Sequence, residues 1–161
     1  MRKFEKVSYE EFKKSVCDDK ELYNSYNLPR RQTKYSAGYD FESLIDYVLK
    51  PSEIVKIPLG IKAQMYEDEM LMLYIRSSMG FKYNIRMCNQ VGIIESDYYN
   101  NESNEGHMFI KLQNEGKEDF EIKKGDRICQ GIFVKFLTTE NEENIDNVRT
   151  GGMGSTNKEK K

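Results

Sequence analysis

Two hydrophobic periodicities divide the chain. In "SYEEFKKSVC", residues 8–17, Phe12 and Val16 lie four apart on one face of a predicted short helix. Ser8 supplies its N-cap, and Glu11, three residues on, completes a capping box. Pro29 and the following "RRQTKYSAG" open a loop. From there the period becomes two. "EIVKIPLGIKAQM" puts Val55, Ile57, Leu59, Ile61 and Ala63 on one face, and "GHMFIKLQNEG" does the same with Met108, Ile110 and Leu112. "MLMLYIRSS" reads as an apolar strand, and "DFEIKKGDRICQGIFVKFL" as strand, turn at Lys124-Gly125-Asp126, strand. Short strands separated by polar turns over residues 35–137 predict an all-β sandwich or barrel, with no internal repeat. Beyond Leu137 the chain turns acidic in "TTENEENIDN" and ends in the glycine-rich "VRTGGMGSTNKEKK", a tail expected to be mobile unless something orders it. The expected division is a helical extension at 1–30, a β domain at 31–140 and a tail at 141–161.

Composition narrows the function classes. A chain of 161 residues suits one domain with a modest core. A net charge of −2 argues against stable nucleic-acid or membrane-surface binding. Cys17, Cys88 and Cys129 are odd in number and lack CxxC spacing, which argues against disulfides and zinc and fits a reducing cytoplasm. The one histidine, His107, cannot build a His-rich metal site. No signal peptide or long apolar span is expected.

Five stretches could carry chemistry, and each has a plainer reading. "RSSMG", Arg76 to Gly80, offers a cation and two hydroxyls for phosphate oxygens, or a surface turn. "RTGGMGST", Arg149 to Thr156, offers an arginine, free N–H groups and two hydroxyls, or a loose tail; it is no P-loop, since the lysine is missing. "GDRICQG" starts as a hairpin turn whose Arg127 and Gln130 face either solvent or a ligand. "AGYDF" sets a glycine beside an acid in a turn. "GIIESDY" places two acids and a tyrosine after an apolar run; in an extended chain Glu95 and Asp97 point one way and Tyr98 the other.

Taken in order, "AGYDF", "RSSMG", "NQVGIIESDY", "GDRICQG" and "RTGGMGST" resemble the five motifs of the trimeric dUTPases, over about Lys34 to Thr156. The resemblance implies a jelly-roll-type β-sandwich assembled as a homotrimer with shared active sites. The first, second and fourth motifs would come from one subunit, the third from a neighbour and the fifth from the remaining subunit's tail. It implies hydrolysis of dUTP to dUMP and pyrophosphate by water attack on the α-phosphorus, which keeps uracil out of DNA and supplies dUMP.

Residue roles follow from the resemblance. Asn89 and the backbone from Gly92 to Ile94 would read uracil, and Tyr98 would pack under deoxyribose and exclude a 2′-hydroxyl. Arg76, Ser77, Ser78 and Gln130 would bind phosphate, with Asp40 organising that region. Arg149, Gly152, Met153, Gly154, Ser155 and Thr156 would close from the tail. Magnesium would ride on the triphosphate and water, with no direct protein ligand. The general base falls at Glu95, where the family carries aspartate. The two acids have similar intrinsic basicity but different reach.

Glu95 thus stands for a native site with compensating shifts, a slow variant, or a substitution that preserves binding while slowing turnover. Other departures are Met153 for a phenylalanine over uracil, Ile75 for a proline, and the long polar loop at 99–106. Two rival functions stand beside hydrolysis. One is a nucleotide-responsive protein-binding module using the N-terminal helix or the 99–106 loop. The other is dCTP deamination on the same fold.

Overall fold

The computed structural model describes residues 1–147 and 149–152. Among the described residues, eleven strands form antiparallel pairs. They are β1 (Lys3–Lys6), β2 (Tyr39–Glu42), β3 (Tyr47–Leu49), β4 (Ile54–Pro58), β5 (Ile61–Gln64), β6 (Glu69–Ile75), β7 (Ile85–Met87), β8 (Gly92–Glu95), β9 (Phe109–Asn114), β10 (Phe120–Ile122) and β11 (Arg127–Lys135). A four-stranded sheet, β2-β11-β6-β8, and a three-stranded sheet, β4-β9-β7, carry the fold, with the two-stranded ribbons β1-β5 and β10-β3 beside them. This is the expected jelly-roll-like sandwich.

The period-two faces become the core. Val55, Ile57, Leu59, Ile61 and Ala63 are all buried, although the run is two strands rather than one. The chain breaks at Gly60, whose φ of +68° a side chain would rarely adopt, so β4 pairs with β9 while β5 pairs with β1. Leu71 and Leu73 of β6 meet the same core, as do Met108, Ile110 and Leu112. Each fully buried aliphatic side chain there contributes about 1.5–3 kcal/mol of transfer free energy.

Two local expectations are corrected. The turn at Lys124-Gly125-Asp126 exists, with Gly125 at φ +86°, but it joins no hairpin: β10 pairs with β3, while β11 pairs with β2 and β6. The turn passes the chain between sheets, which a local turn pattern cannot distinguish from a hairpin. "RSSMG" is no surface turn either; it runs into helix α3 (Ser77–Tyr83), with Arg76 at the N-cap position and Asn84 closing it at φ 55°.

The N-terminal segment holds more order than its single expected helix. Helix α1 (Tyr9–Ser15) follows Ser8, whose Oγ accepts from Glu11 N–H at 3.2 Å. The capping box is completed from elsewhere: Ser8 N–H donates to Glu105 in the 99–106 loop at 2.9 Å, while the Glu11 carboxylate turns to His107. Phe12 is fully buried and Val16 packs beside the core. A further helix, α2 (Lys20–Ser25), is capped by Asp19, and Tyr26 after it donates its hydroxyl to Gly60 O at 2.8 Å. After β11 no helix or strand forms among the described residues. None of the described helices is long and apolar enough to cross a membrane. All three cysteines are unpaired, with Cys129 buried.

Candidate active site

The first, second and fourth motifs meet in one cleft of about 500 Å³. Strand pairing sets Gln130 of β11 opposite Asp40 of β2. Asp40 is mostly buried and is gripped by two guanidinium groups, Arg76 at 3.4 Å and Arg127 at 3.3 Å. Ser77 and Ser78 line the mouth from the first turn of α3.

Between Arg127 and Cys129 the β11–β2 register shifts by one residue. Ile128 and Cys129 are consequently both buried, and Arg127 and Gln130 both face the cleft. Gly38 explains the glycine of "AGYDF": a Cβ there would lie 2.3 Å from Gln130 Oε1. A side chain at position 38 would drive Gln130 from its place. The lining is cationic and hydroxylic, and its one carboxylate is already doubly paired. Such a surface receives anionic oxygens.

The third motif builds a second, smaller cleft of about 210 Å³ at the other edge of the four-stranded sheet. β8 brings Gly92 against Leu73 so closely that a Cβ would sit 3.2 Å from the leucine's own. Asn89, Ile94, Glu95 and Tyr98 line the cavity with Phe109. The extended path expected through "GIIESDY" stops at Glu95, and Ser96–Tyr98 forms a 3-10 turn. That turn buries Tyr98 while leaving Glu95 exposed. Burial raises the Tyr98 phenol above its ordinary value.

The tail reaches this cleft. Arg149 Nη2 lies 2.7 Å from Glu95 Oε2, and its backbone N–H donates to Asp97 at 3.1 Å. Its Nε stands 3.4 Å from Asp97 Oδ1, an ion pair without hydrogen-bond alignment. The guanidinium also sits 5.8 Å over the Tyr98 ring. Gly152 is near the 99–106 loop, where a Cβ would meet Ser103 Oγ at 2.9 Å. Met153, Gly154, Ser155 and Thr156 lie outside the described residues.

The structure thus gathers Asp40, Arg76, Ser77, Ser78 and Gln130 in one place, and Asn89, Gly92, Ile94, Glu95, Tyr98 and Arg149 in another. No described residue lines both clefts. Sequence reasoning left Arg127 undecided and missed Asn104 and His107. The bulge that turns Arg127 inward has no signature in the hydrophobic period.

An all-β sandwich with an arginine-lined cleft at one sheet edge and a small acid-lipped cavity at the other is suited to nucleotide phosphates. The family profile of the dUTPases matches residues 24–157. The deoxyuridine 5′-triphosphate nucleotidohydrolase of Lactococcus lactis subsp. lactis is 47% identical over 131 residues, covering 81% of this chain and 87% of that protein. The crystal structure of the dUTPase from Streptococcus mutans superposes with a TM-score of 0.69 at 35% identity, covering 85% of this chain and 98% of that one. The dUTPase of Staphylococcus bacteriophage 80alpha, solved with dUPNHPP, shares the fold with a TM-score of 0.67 at 20% identity, over 95% of this chain and 94% of that one. The chain belongs to the dUTPase family.

Proposed function

We propose that the chain hydrolyses dUTP to dUMP and pyrophosphate, with the cationic cleft of one subunit facing the third-motif cleft of another in a homotrimer. Family membership makes the chain a dUTP diphosphatase. The observation that carries the shared site is the segregation of two complementary half-sites to opposite edges of one sheet, β2-β11 and β8. A single chain holds phosphate-binding groups and base-binding groups apart, and a neighbour brings them together.

In this reading Asn89 and the backbone of Gly92 to Ile94 pair with uracil, and cytosine leaves those groups unsatisfied. The Tyr98 ring forms the floor under deoxyribose. Arg76, Ser77, Ser78 and Gln130 hold the triphosphate and stabilise charge that grows at the α-phosphate. Glu95 accepts a proton from water as its oxygen bonds to the α-phosphorus and the bond to the β-phosphate oxygen breaks. Arg149 pairs with Glu95 and Asp97. A triphosphate is the stronger anion, so it competes for Arg149 and frees the carboxylate.

Among the described residues no three His, Cys, Asp or Glu side chains converge as a ligand set. The one carboxylate of the cationic cleft is held by two arginines. This donor set suits a magnesium ion that stays on the triphosphate oxygens and water, where it would neutralise phosphate charge. The groove between α1 and the 99–106 loop, joined by Ser8 and Glu105, is the surface we assign to any protein partner.

The test mixes the protein with magnesium and dUTP, dCTP, dTTP or UTP and follows pyrophosphate. Release from dUTP alone is expected. UTP turnover equal to dUTP turnover sinks the role of Tyr98, and ammonia from dCTP sinks the hydrolytic reading. Glu95→Asp run alongside tells whether this site has adapted to the longer acid: a much faster aspartate variant at equal affinity marks the present chain as a slowed enzyme.

A further inference from the structure

We infer that Asn104, in the loop after the third motif, is a positioning residue that sets the deoxyribose selectivity of the site by clamping the Tyr98 hydroxyl; the inference rests on the dUTP reading above. Tyr98 closes one side of the base-and-sugar cleft, yet nothing in "GIIESDY" itself holds its far end. The hold comes from the loop. Asn104 Nδ2 donates to Tyr98 Oη at 2.8 Å, and Tyr98 Oη donates to His107 O at 2.9 Å. Both hydrogen-bonding directions of the phenol are therefore filled, and the ring cannot slide along its axis without breaking one of them.

The loop is built to keep Asn104 there. Its Oδ1 accepts from Asn101 Nδ2 at 2.8 Å and from Gly106 N–H at 3.1 Å. Asn101, itself buried, donates through the same Nδ2 to Tyr98 O at 2.8 Å, so tyrosine backbone and hydroxyl are tied to one asparagine pair. Gly106 sits at φ +83°, where a Cβ would lie 2.6 Å from Tyr98 O.

Behind the clamp, the His107 ring is fully buried: its Nε2 accepts from Gly60 N–H at 2.9 Å. That leaves the proton on Nδ1, which donates to Glu11 of α1 at 2.8 Å. The loop and α1 thereby brace the residue on which exclusion of a 2′-hydroxyl depends. A ring that shifts by a fraction of an ångström admits that hydroxyl.

The experiment measures kcat/KM for dUTP and UTP in the full chain, in Asn104→Asp, in Tyr98→Phe and in the double variant. Asn104→Asp keeps the accepting oxygen that holds the loop and removes the N–H that reaches the phenol. We expect the dUTP-to-UTP ratio to fall about tenfold in Asn104→Asp, the scale of one buried hydrogen bond. We expect no further fall when the same change is made in Tyr98→Phe, because the hydroxyl it acts through is gone. An unchanged ratio in folded Asn104→Asp overturns the inference, as does an equal fall in both backgrounds. Should Asn104→Asp fail to fold, Asn104→Ser is read in its place by the same ratios. A parent chain with no dUTP turnover sinks the functional reading itself, and this inference with it, a result none of the ratio arms mimics.

Discussion

The two clefts solve the same electrostatic problem in opposite ways. In the cationic cleft, the carboxylate of Asp40 is neutralised by Arg127 of β11 and by Arg76, at the junction of β6 and α3. In the third-motif cleft, Glu95 and Asp97 are neutralised by Arg149, which lies 54 residues beyond Glu95 in the chain. The first arrangement is fixed by sheet register and comes ready-made. The second is held by a segment that follows the last strand, β11, and belongs to no sheet. A phosphate-binding surface gains from rigidity, because its donors must meet charge as it develops.

The sharpest way to break this comparison is to alter one group on each side. Glu95→Gln removes the carboxylate proposed as the proton acceptor and keeps the side chain's length. It is expected to lower kcat by roughly 10²- to 10⁴-fold, the usual worth of a positioned base, with dUTP affinity largely kept. Single-turnover rates and equilibrium binding of dUTP check this. Normal turnover in the Glu95→Gln variant removes Glu95 from the mechanism. On the other side, Arg76→Ala takes a cation from the arginine-lined cleft and leaves Asp40 with Arg127 alone. The expected loss is roughly 10²- to 10³-fold in kcat/KM, with affinity falling together with rate. If Arg76→Ala spares binding while Glu95→Gln abolishes it, the roles of the two clefts are exchanged.

Much of this was legible in the sequence, for physical reasons that differ by element. The alternation of Val55, Ile57, Leu59, Ile61 and Ala63 survived a chain break at Gly60, because burial is set by face and not by strand identity. The motifs were legible as residue types in order. Their geometry was less so. Arg127 and Gln130 are three apart, which in a regular strand puts them on opposite faces; the bulge at Ile128 brings them together, and a bulge leaves no mark in a hydrophobic pattern. The capping box failed for the same kind of reason. Glu105 competes for Ser8 from 97 residues away, and no local rule sees it. Asn104 was read only as part of a polar loop, since its partner is a phenol whose position depends on a 3-10 turn.

A smaller effect sharpens the cationic side. Gly38→Ala puts a methyl where Gln130 Oε1 now lies, 2.3 Å from the new carbon. The backbone at Gly38 needs no left-handed conformation, so the cost falls on the glutamine and not on the fold. We expect kcat/KM to drop on the order of tenfold, below the hundredfold that an ångström of misplacement costs at reacting atoms. The thermal midpoint should hardly move. A stability loss without an activity loss would show that Gln130 is packing and not a ligand.

The smallest effect belongs to the acid-lipped side and to the brace behind Tyr98. His107 is the only histidine, so its ring signals in a proton NMR titration need no assignment by mutation. Burial lowers its pKa below the ordinary 6.5, against the opposing pull of Glu11 and Glu105. A folded-state value below the unfolded one means that the unfolded chain takes up this proton first as the pH falls. The brace therefore stands in full above about pH 6.5 and withdraws stability below it. The titration midpoint is expected below 6.5, and acidification from pH 7 should cost the parent more thermal stability than it costs His107→Gln. A midpoint above 6.5 would mean that the Glu11 pair outweighs burial; the ring would then carry a proton on both nitrogens at neutral pH, and Nε2 could not accept from Gly60 N–H.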